Sequence, residues 1–165
     1  MQLSNVIPTF KYLWLTIKHK WFVFRAGLKV KAPIFRLIIH DWSKFLPIEF
    51  SNYAIQFFGD KSDPLKFSYA WNHHQKMNKH HWEYWVMVTG HNLGGFGDME
   101  PLPMPEKYIR EMIADWCGAS KAYTGDWPWE SEWVWFKENF PKLNLHFETK
   151  HLILRIIKDE LKLDV

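Results

Sequence analysis

The segment RLIIHDWSKF, residues 36–45, ends an apolar run in His40 and Asp41 and sets the ammonium of Lys44 three positions further on. Imidazole and carboxylate are donors for divalent transition metals, and a lysine beside them is a point charge suited to an anionic substrate. The chain holds nine histidines, unevenly placed. Four of them, His73, His74, His80 and His81, fall within HHQKMNKHH. Positions seven apart return to nearly the same helical face, which would align His74 with His81 and His73 with His80. A break near Asn78 would instead put the two pairs on adjoining helix ends. Either arrangement crowds imidazoles, and neutral imidazoles can share a cation where protonated ones would repel. Asp115, in EMIADWCGA, stands among apolar neighbours. A carboxylate buried there requires a lysine, an arginine or a metal as partner.

Each feature also has an ordinary reading. A lone histidine such as His91, His146 or His151 reads as a solvated or satisfied side chain, and His19 alone would read the same way. Asp115 alone is an ion-paired helix carboxylate, and an isolated His-Asp pair carries almost no signal. The order is what carries information: His19, then His40-Asp41, then His73/His74 and His80/His81, then Asp115.

The elements that must position these residues are helical. Phe10, Leu13, Trp14, Ile17, Trp21, Phe24 and Leu28 recur at three- and four-residue steps and define the apolar stripe of a first helix over about residues 8–30. Tyr12, Thr16, His19, Val23 and Ala26 form a second face of smaller residues, and Lys11, Lys18, Arg25 and Lys29 form the wet one. Pro33 predicts a short helix ending near His40-Asp41, and Pro47 one running to about Phe58. Asp63 as N-cap and Pro64 at the first turn predict a helix to about His74. Asn78 could cap another, from Lys79 to about Thr89. Residues 89–105, rich in Gly and Pro, read as a lid or binding loop, and no Gly-Lys-Ser/Thr follows to make GHNLGGFGD a P-loop. Further helices are predicted from Pro105 to about Tyr123, over 130–139 and over 146–162. No stretch alternates strictly enough for a strand. The fold class is all-α, a single domain over residues 1–165 with about six to eight helices.

Composition bounds the function classes. The 165 residues suit one domain; 47% are hydrophobic and 24% charged. The 11 Trp, 13 Phe and 6 Tyr exceed what a core of this size hides, so some aromatics are expected at a pocket or a subunit contact. A net charge of +3 without a basic block indicates no specific nucleic-acid binding. The single Cys117 excludes an internal disulfide and suits a cytoplasmic protein. Lysines interrupt the N-terminal apolar stretch, so no membrane span is expected.

The ordered set His19, His40-Asp41, the later histidines and Asp115 resembles the HD-domain superfamily of metal-dependent phosphohydrolases. HDWSK resembles the HD-x-x-K form of several branches, and HDWSKF, HHQKMNKHHWEYW and EMIADW are similar to passages of small HD-like bacterial and phage proteins. The resemblance covers about residues 12–124 and leaves 125–165 as a C-terminal helical extension. The GYP element of cyclic-dinucleotide phosphodiesterases is absent.

The resemblance implies an HD-like helical bundle. His19, His40, Asp41 and Asp115 would ligate a first metal, and Asp41 would bridge to a second held by His74 with one or both of His80 and His81. One or two divalent ions among Mn, Fe, Co, Ni and Zn are implied, activating water to hydroxide. Lys44 would neutralise a phosphate oxygen, with Asn78 as a further substrate contact. The substrate would be a small phosphate ester, on family analogy a nucleotide, and the chain could form a homo-oligomer. Trp71, Trp82, Trp85 and Trp116 could stack on a base or pack as core, and Glu83 and Glu111 could orient imidazoles. Two other functions fit the same residues: an HD-fold di-iron oxygenase, and a non-catalytic interaction module with a structural metal.

Overall fold

The computed structural model describes residues 6–88 and 99–164. Helix α1 (Val6–Lys29) is followed by α2 (Ile34–Ile39), a 3-10 turn (Trp42–Phe45), α3 (Pro47–Phe58) and α4 (Pro64–Met77). A second 3-10 turn (Trp82–Trp85) leads into a minimal hairpin of β1 (Val86–Val88) and β2 (Met99–Pro101). Then come α5 (Glu106–Thr124), α6 (Val134–Asn139) and α7 (Phe147–Ile156), the last running on into a π turn over Ile157–Leu161. The protein is an all-α bundle. Among the described residues, no helix is long and apolar enough to cross a membrane.

Local chemistry sets the boundaries. Asp63 caps α4 by accepting the Lys66 N–H at 3.0 Å, and Pro64 and Pro47 occupy first-turn positions where a missing N–H costs nothing. Gly125, at φ 89°, takes the left-handed conformation that ends α5. His146 accepts the Glu148 N–H and caps α7.

Helix α1 packs principally on α5. The contact is close because α5 carries Gly118 there: a Cβ would stand 2.8 Å from the Val23 nitrogen and 2.6 Å from its Cγ2. Such an approach demands small residues, which explains which face of α1 turns inward. Tyr12, Thr16, His19, Val23 and Ala26 are buried, whereas Phe10, Trp14 and Trp21 are 67%, 65% and 58% exposed. Periodicity locates the bulky stripe but does not say which side faces the core.

The main core joins Val23 and Ala26 of α1, and Val30 just after it, to Leu37, to Ile109, Met112, Ile113 and Cys117 of α5, and to Trp127, Phe136, Ile153 and Ile157 beyond. Residues 125–164 are therefore part of this core rather than an appendage. A second cluster gathers Tyr12, Tyr53, Ala54 and Ala70 from α1, α3 and α4. His19 lies between the two along α1.

Three expectations are corrected. The helix from Lys79 to Thr89 does not form: His81 is extended, and the β-branched Val86 and Val88 pair antiparallel with Pro101 and Met99. The hairpin also overturns the expectation of no strand. The helix over 130–139 begins only at Val134, because Trp127–Glu130 form a turn closed by the Glu130 N–H on the Trp127 carbonyl. The expected loop 89–105 falls largely outside the described residues.

Candidate metal centre

Five elements deliver side chains to one point. His19 comes from α1, His40 and Asp41 from the turn after α2, His74 from α4, His80 from the segment after α4, and Asp115 from α5. Of the run Leu37-Ile38-Ile39, only Leu37 is an anchor in the core; Ile38 faces solvent. The turn depends on Asp41 itself, which adopts the left-handed region at φ 54° and ψ 28°. That conformation is costly for a side-chain-bearing residue and reverses the chain so that His40 and Asp41 both point inward. The Lys20 ammonium fixes the same turn by donating to the carbonyls of Ile38 and His40.

The inward atoms are spaced as ligands. His19 Nε2 lies 2.9 Å from Asp115 Oδ1 and 3.6 Å from Asp41 Oδ2. His40 Nε2 lies 3.4 Å from Asp41 Oδ2 and 3.5 Å from Asp115 Oδ1. Ligands about 2.1 Å from a common ion stand roughly 3.0–3.4 Å from one another. The other Asp41 oxygen, Oδ1, is 3.4 Å from both His74 Nε2 and His80 Nε2. His80 Nε2 is also 3.8 Å from Asp115 Oδ2, and His81 can join Asp41 and His80 in a ligand group. Asp41 thus faces two donor sets, one through each oxygen. His73 turns away to Glu49.

None of His40 Nε2, His80 Nε2 and Asp41 Oδ1 has an aligned hydrogen bond, although all are buried. Orphaned polar atoms this deep are costly unless a cation gathers them. The donor set therefore fits a divalent transition metal.

The opposite edges of the imidazoles are braced. Glu111 Oε1 is 3.2 Å from His40 Nδ1 and 3.4 Å from His80 Nδ1, and its other oxygen pairs with Arg36 Nε at 2.8 Å. Glu49 repeats the pattern, with Oε1 2.6 Å from His73 Nδ1 and Oε2 2.8 Å from His74 Nδ1. A carboxylate on Nδ1 holds the ring with Nε2 toward the ion. Glu83 is a looser version, 3.7 Å from His81 Nδ1. Sequence reasoning missed Glu49 because it sits in the first turn of α3, where an acid is already explained by the helix dipole.

The electrostatics agree with a cation site. Burial opposes ionisation of Asp41, but His40, Lys44 and His74 outweigh it and hold the carboxyl well below the usual range. Asp115 is held down likewise against burial, by His19 and His40. Burial pushes His80 down to about 4, keeping it neutral as a ligand must be. Burial also opposes a charge on His40, yet Asp41, Asp115 and Glu111 outweigh it and lift its pKa to about 9.

Lys44 stands beside this cluster, with Nζ 2.6 Å from Asp41 Oδ2. It lines a cavity of about 90 Å³ together with His19, Tyr12, Tyr53, Trp71 and Tyr123. Tyr123 also borders a cavity of about 250 Å³ walled by Trp116, Trp133 and Trp135. Asn78 is buried, and its amide nitrogen donates to Ser43 Oγ at 2.7 Å and to the His74 carbonyl at 2.9 Å, which braces the end of α4. Trp82 and Trp85 pack against the core, whereas Trp71 stacks on His74. His151 is exposed, and His91 lies outside the described residues.

Neither a curated protein nor a solved structure matches the chain. One family, described as a family of unknown function (DUF5662), matches residues 9–159, nearly the full length. The protein with this buried histidine–carboxylate centre belongs to that family.

Proposed function

We propose that the protein is a metal-dependent phosphohydrolase acting on a small phosphate ester. The observation that carries this reading is the convergence of His19, His40, Asp41 and Asp115 beside the Lys44 ammonium at a cavity. His19, His40, Asp41 and Asp115 would hold a first divalent ion, and Asp41 with His74, His80 and His81 a second. An ion held there supplies Lewis acidity and makes a coordinated water more acidic. Lys44 offsets charge on the phosphoryl oxygens as the ester bond breaks. Asp41 keeps that ammonium protonated and aimed, since its attraction outweighs burial and raises the Lys44 pKa. Glu111 and Glu49 hold the imidazoles in register. A nucleotide is the finer reading: the Trp116 and Tyr123 wall offers flat apolar faces for a base next to the phosphoryl cavity.

A second reading, a di-iron oxygenase, draws on the three further histidines around Asp41. Metal analysis of protein purified without chelators, followed by turnover assays, tests both. Hydrolysis of mono-, di- or triphosphates with Mn or Co in the absence of oxygen supports the first. Two bound irons with oxygen-dependent turnover and silence across the ester panel replace it with the second. Full metal occupancy in both His40→Ala and Asp41→Ala overturns the site itself.

A further inference from the structure

Charge and exposed apolar surface are segregated together along α1. Of the 21 Lys and Arg, seven fall in the first 40 residues, which hold none of the 18 Asp and Glu, so the rest of the chain is net acidic. Ile7, Phe10, Trp14, Ile17, Trp21 and Leu28 recur at helical steps along α1 and are all exposed. Phe24, stacked on Trp21 with ring centroids 6.3 Å apart, fills the interval before Leu28. The stripe is about 30 Å long, a continuous surface rather than the scattered apolar residues of an ordinary exterior. Along one edge, Lys11, Lys18 and Arg25 stand seven residues apart, with Lys29 one turn further on, in a single row. None of the four has a carboxylate partner among the described residues; Arg25 and Lys29 lie over the rings of Trp127 and Trp129. Along the other edge, Lys20 bonds the Ile38 carbonyl and lies 6.0 Å from the Phe45 ring centroid, so the exposed Ile38 and Phe45 border the stripe.

We propose that this face of α1 is a docking surface for a bilayer containing anionic phospholipids, with the helix lying in the plane of the headgroups. A row of cations beside a stripe of Trp, Phe, Ile and Leu is the pattern by which a helix binds the boundary between headgroups and acyl chains without crossing it. Trp14 and Trp21 suit that depth, where an apolar ring meets hydrocarbon and an indole N–H meets water. The lysines that keep α1 from spanning a bilayer are the ones that attract it to an anionic surface. The opposite face of α1, with Thr16, His19, Val23 and Ala26, stays packed in the bundle, so docking requires no unfolding. A second copy of the chain is the other occupant an apolar face invites. A two-fold contact through this face would set the cation row against itself, with no acid in the segment to answer it. The proposal stands apart from the reaction assigned to the metal centre.

The test is cosedimentation of the full chain with vesicles of equal parts phosphatidylglycerol and phosphatidylcholine, against vesicles of phosphatidylcholine alone. Wild type is expected to bind the anionic vesicles more tightly by about tenfold or more, and to lose affinity as salt is raised. The double variants Trp14→Gln/Trp21→Gln and Lys11→Gln/Lys18→Gln are each expected to weaken binding by about tenfold or more. None of these four side chains belongs to a core cluster or to the ligand groups, so metal content and melting temperature are expected to match the wild type. Equal binding to the two vesicles, or no binding to either, overturns the proposal. Undiminished binding in both double variants overturns it as well. Sedimentation equilibrium of the free protein covers the remaining occupant: a dimer that Trp14→Gln/Trp21→Gln dissolves, without vesicle binding, gives the face to a second copy and overturns the lipid.

Discussion

Glu111 and His40 meet edge to edge at 3.2 Å between Oε1 and Nδ1, and this contact turns the other ring nitrogen toward Asp41 and Asp115. The same carboxylate oxygen reaches His80, so one acid on α5 sets two imidazoles belonging to different donor sets. Glu111→Gln keeps the shape and removes the charge. It is expected to weaken metal affinity by about ten- to a hundredfold, read by titrating chelated protein with Mn or Zn.

Acid should unfold the metal-free protein through the same carboxylate. Burial alone would raise the Glu111 pKa, but hydrogen bonds from His40 and His80 outweigh it and bring it down to about 2, from an ordinary 4.5. A depressed folded-state pKa contributes stability that is present above about pH 4.5 and is lost as pH falls toward 2. The contribution is at most about 3 kcal/mol. Urea unfolding of chelator-treated protein across this window is expected to show the loss, with a flatter slope in Glu111→Gln.

Lys44 is expected to separate binding of metal from chemistry. Lys44→Met removes the charge 2.6 Å from Asp41 but leaves every proposed ligand in place. Ester turnover should fall by about 10²–10³-fold while metal content per chain is unchanged. Loss of the metal along with activity would instead assign Lys44 a structural role.

The left-handed backbone at Asp41 gives a test independent of ligation. Asp41→Gly and Asp41→Ala both abolish the carboxylate, so the difference between them reports the turn. At φ 54° the glycine variant is expected to be the more stable by about 1 kcal/mol, the reverse of the order in a helix interior. Thermal unfolding of the two metal-free variants measures it.

Much of this arrangement was legible in the sequence where a single local rule governs. Pro47 and the Asp63-Pro64 pair mark the starts of α3 and α4, and Gly125 follows the end of α5. The side chains that converge and their order were visible too, because His40-Asp41 and Asp115 are conspicuous in apolar surroundings. Choices made by tertiary contact were hidden. Nothing local tells that Trp14 faces solvent while Thr16 is buried; the close approach at Gly118, just over a hundred residues away, favours the face of smaller residues. Glu49 reads as a helix-start acid until its oxygens are seen on His73 and His74. Asn78 was visible as a cap, yet it closes α4 instead of opening a new helix.

Gly118 lies one turn along α5 from Asp115, and Val23 one turn along α1 from His19. The backbone touching point is thus a fulcrum beside the 2.9 Å gap between His19 and Asp115. A methyl group inserted there would pry the helices apart and stretch that gap without touching any donor. The spacing of His19 and Asp115 thus depends on the absence of one carbon atom at a position that touches neither side chain.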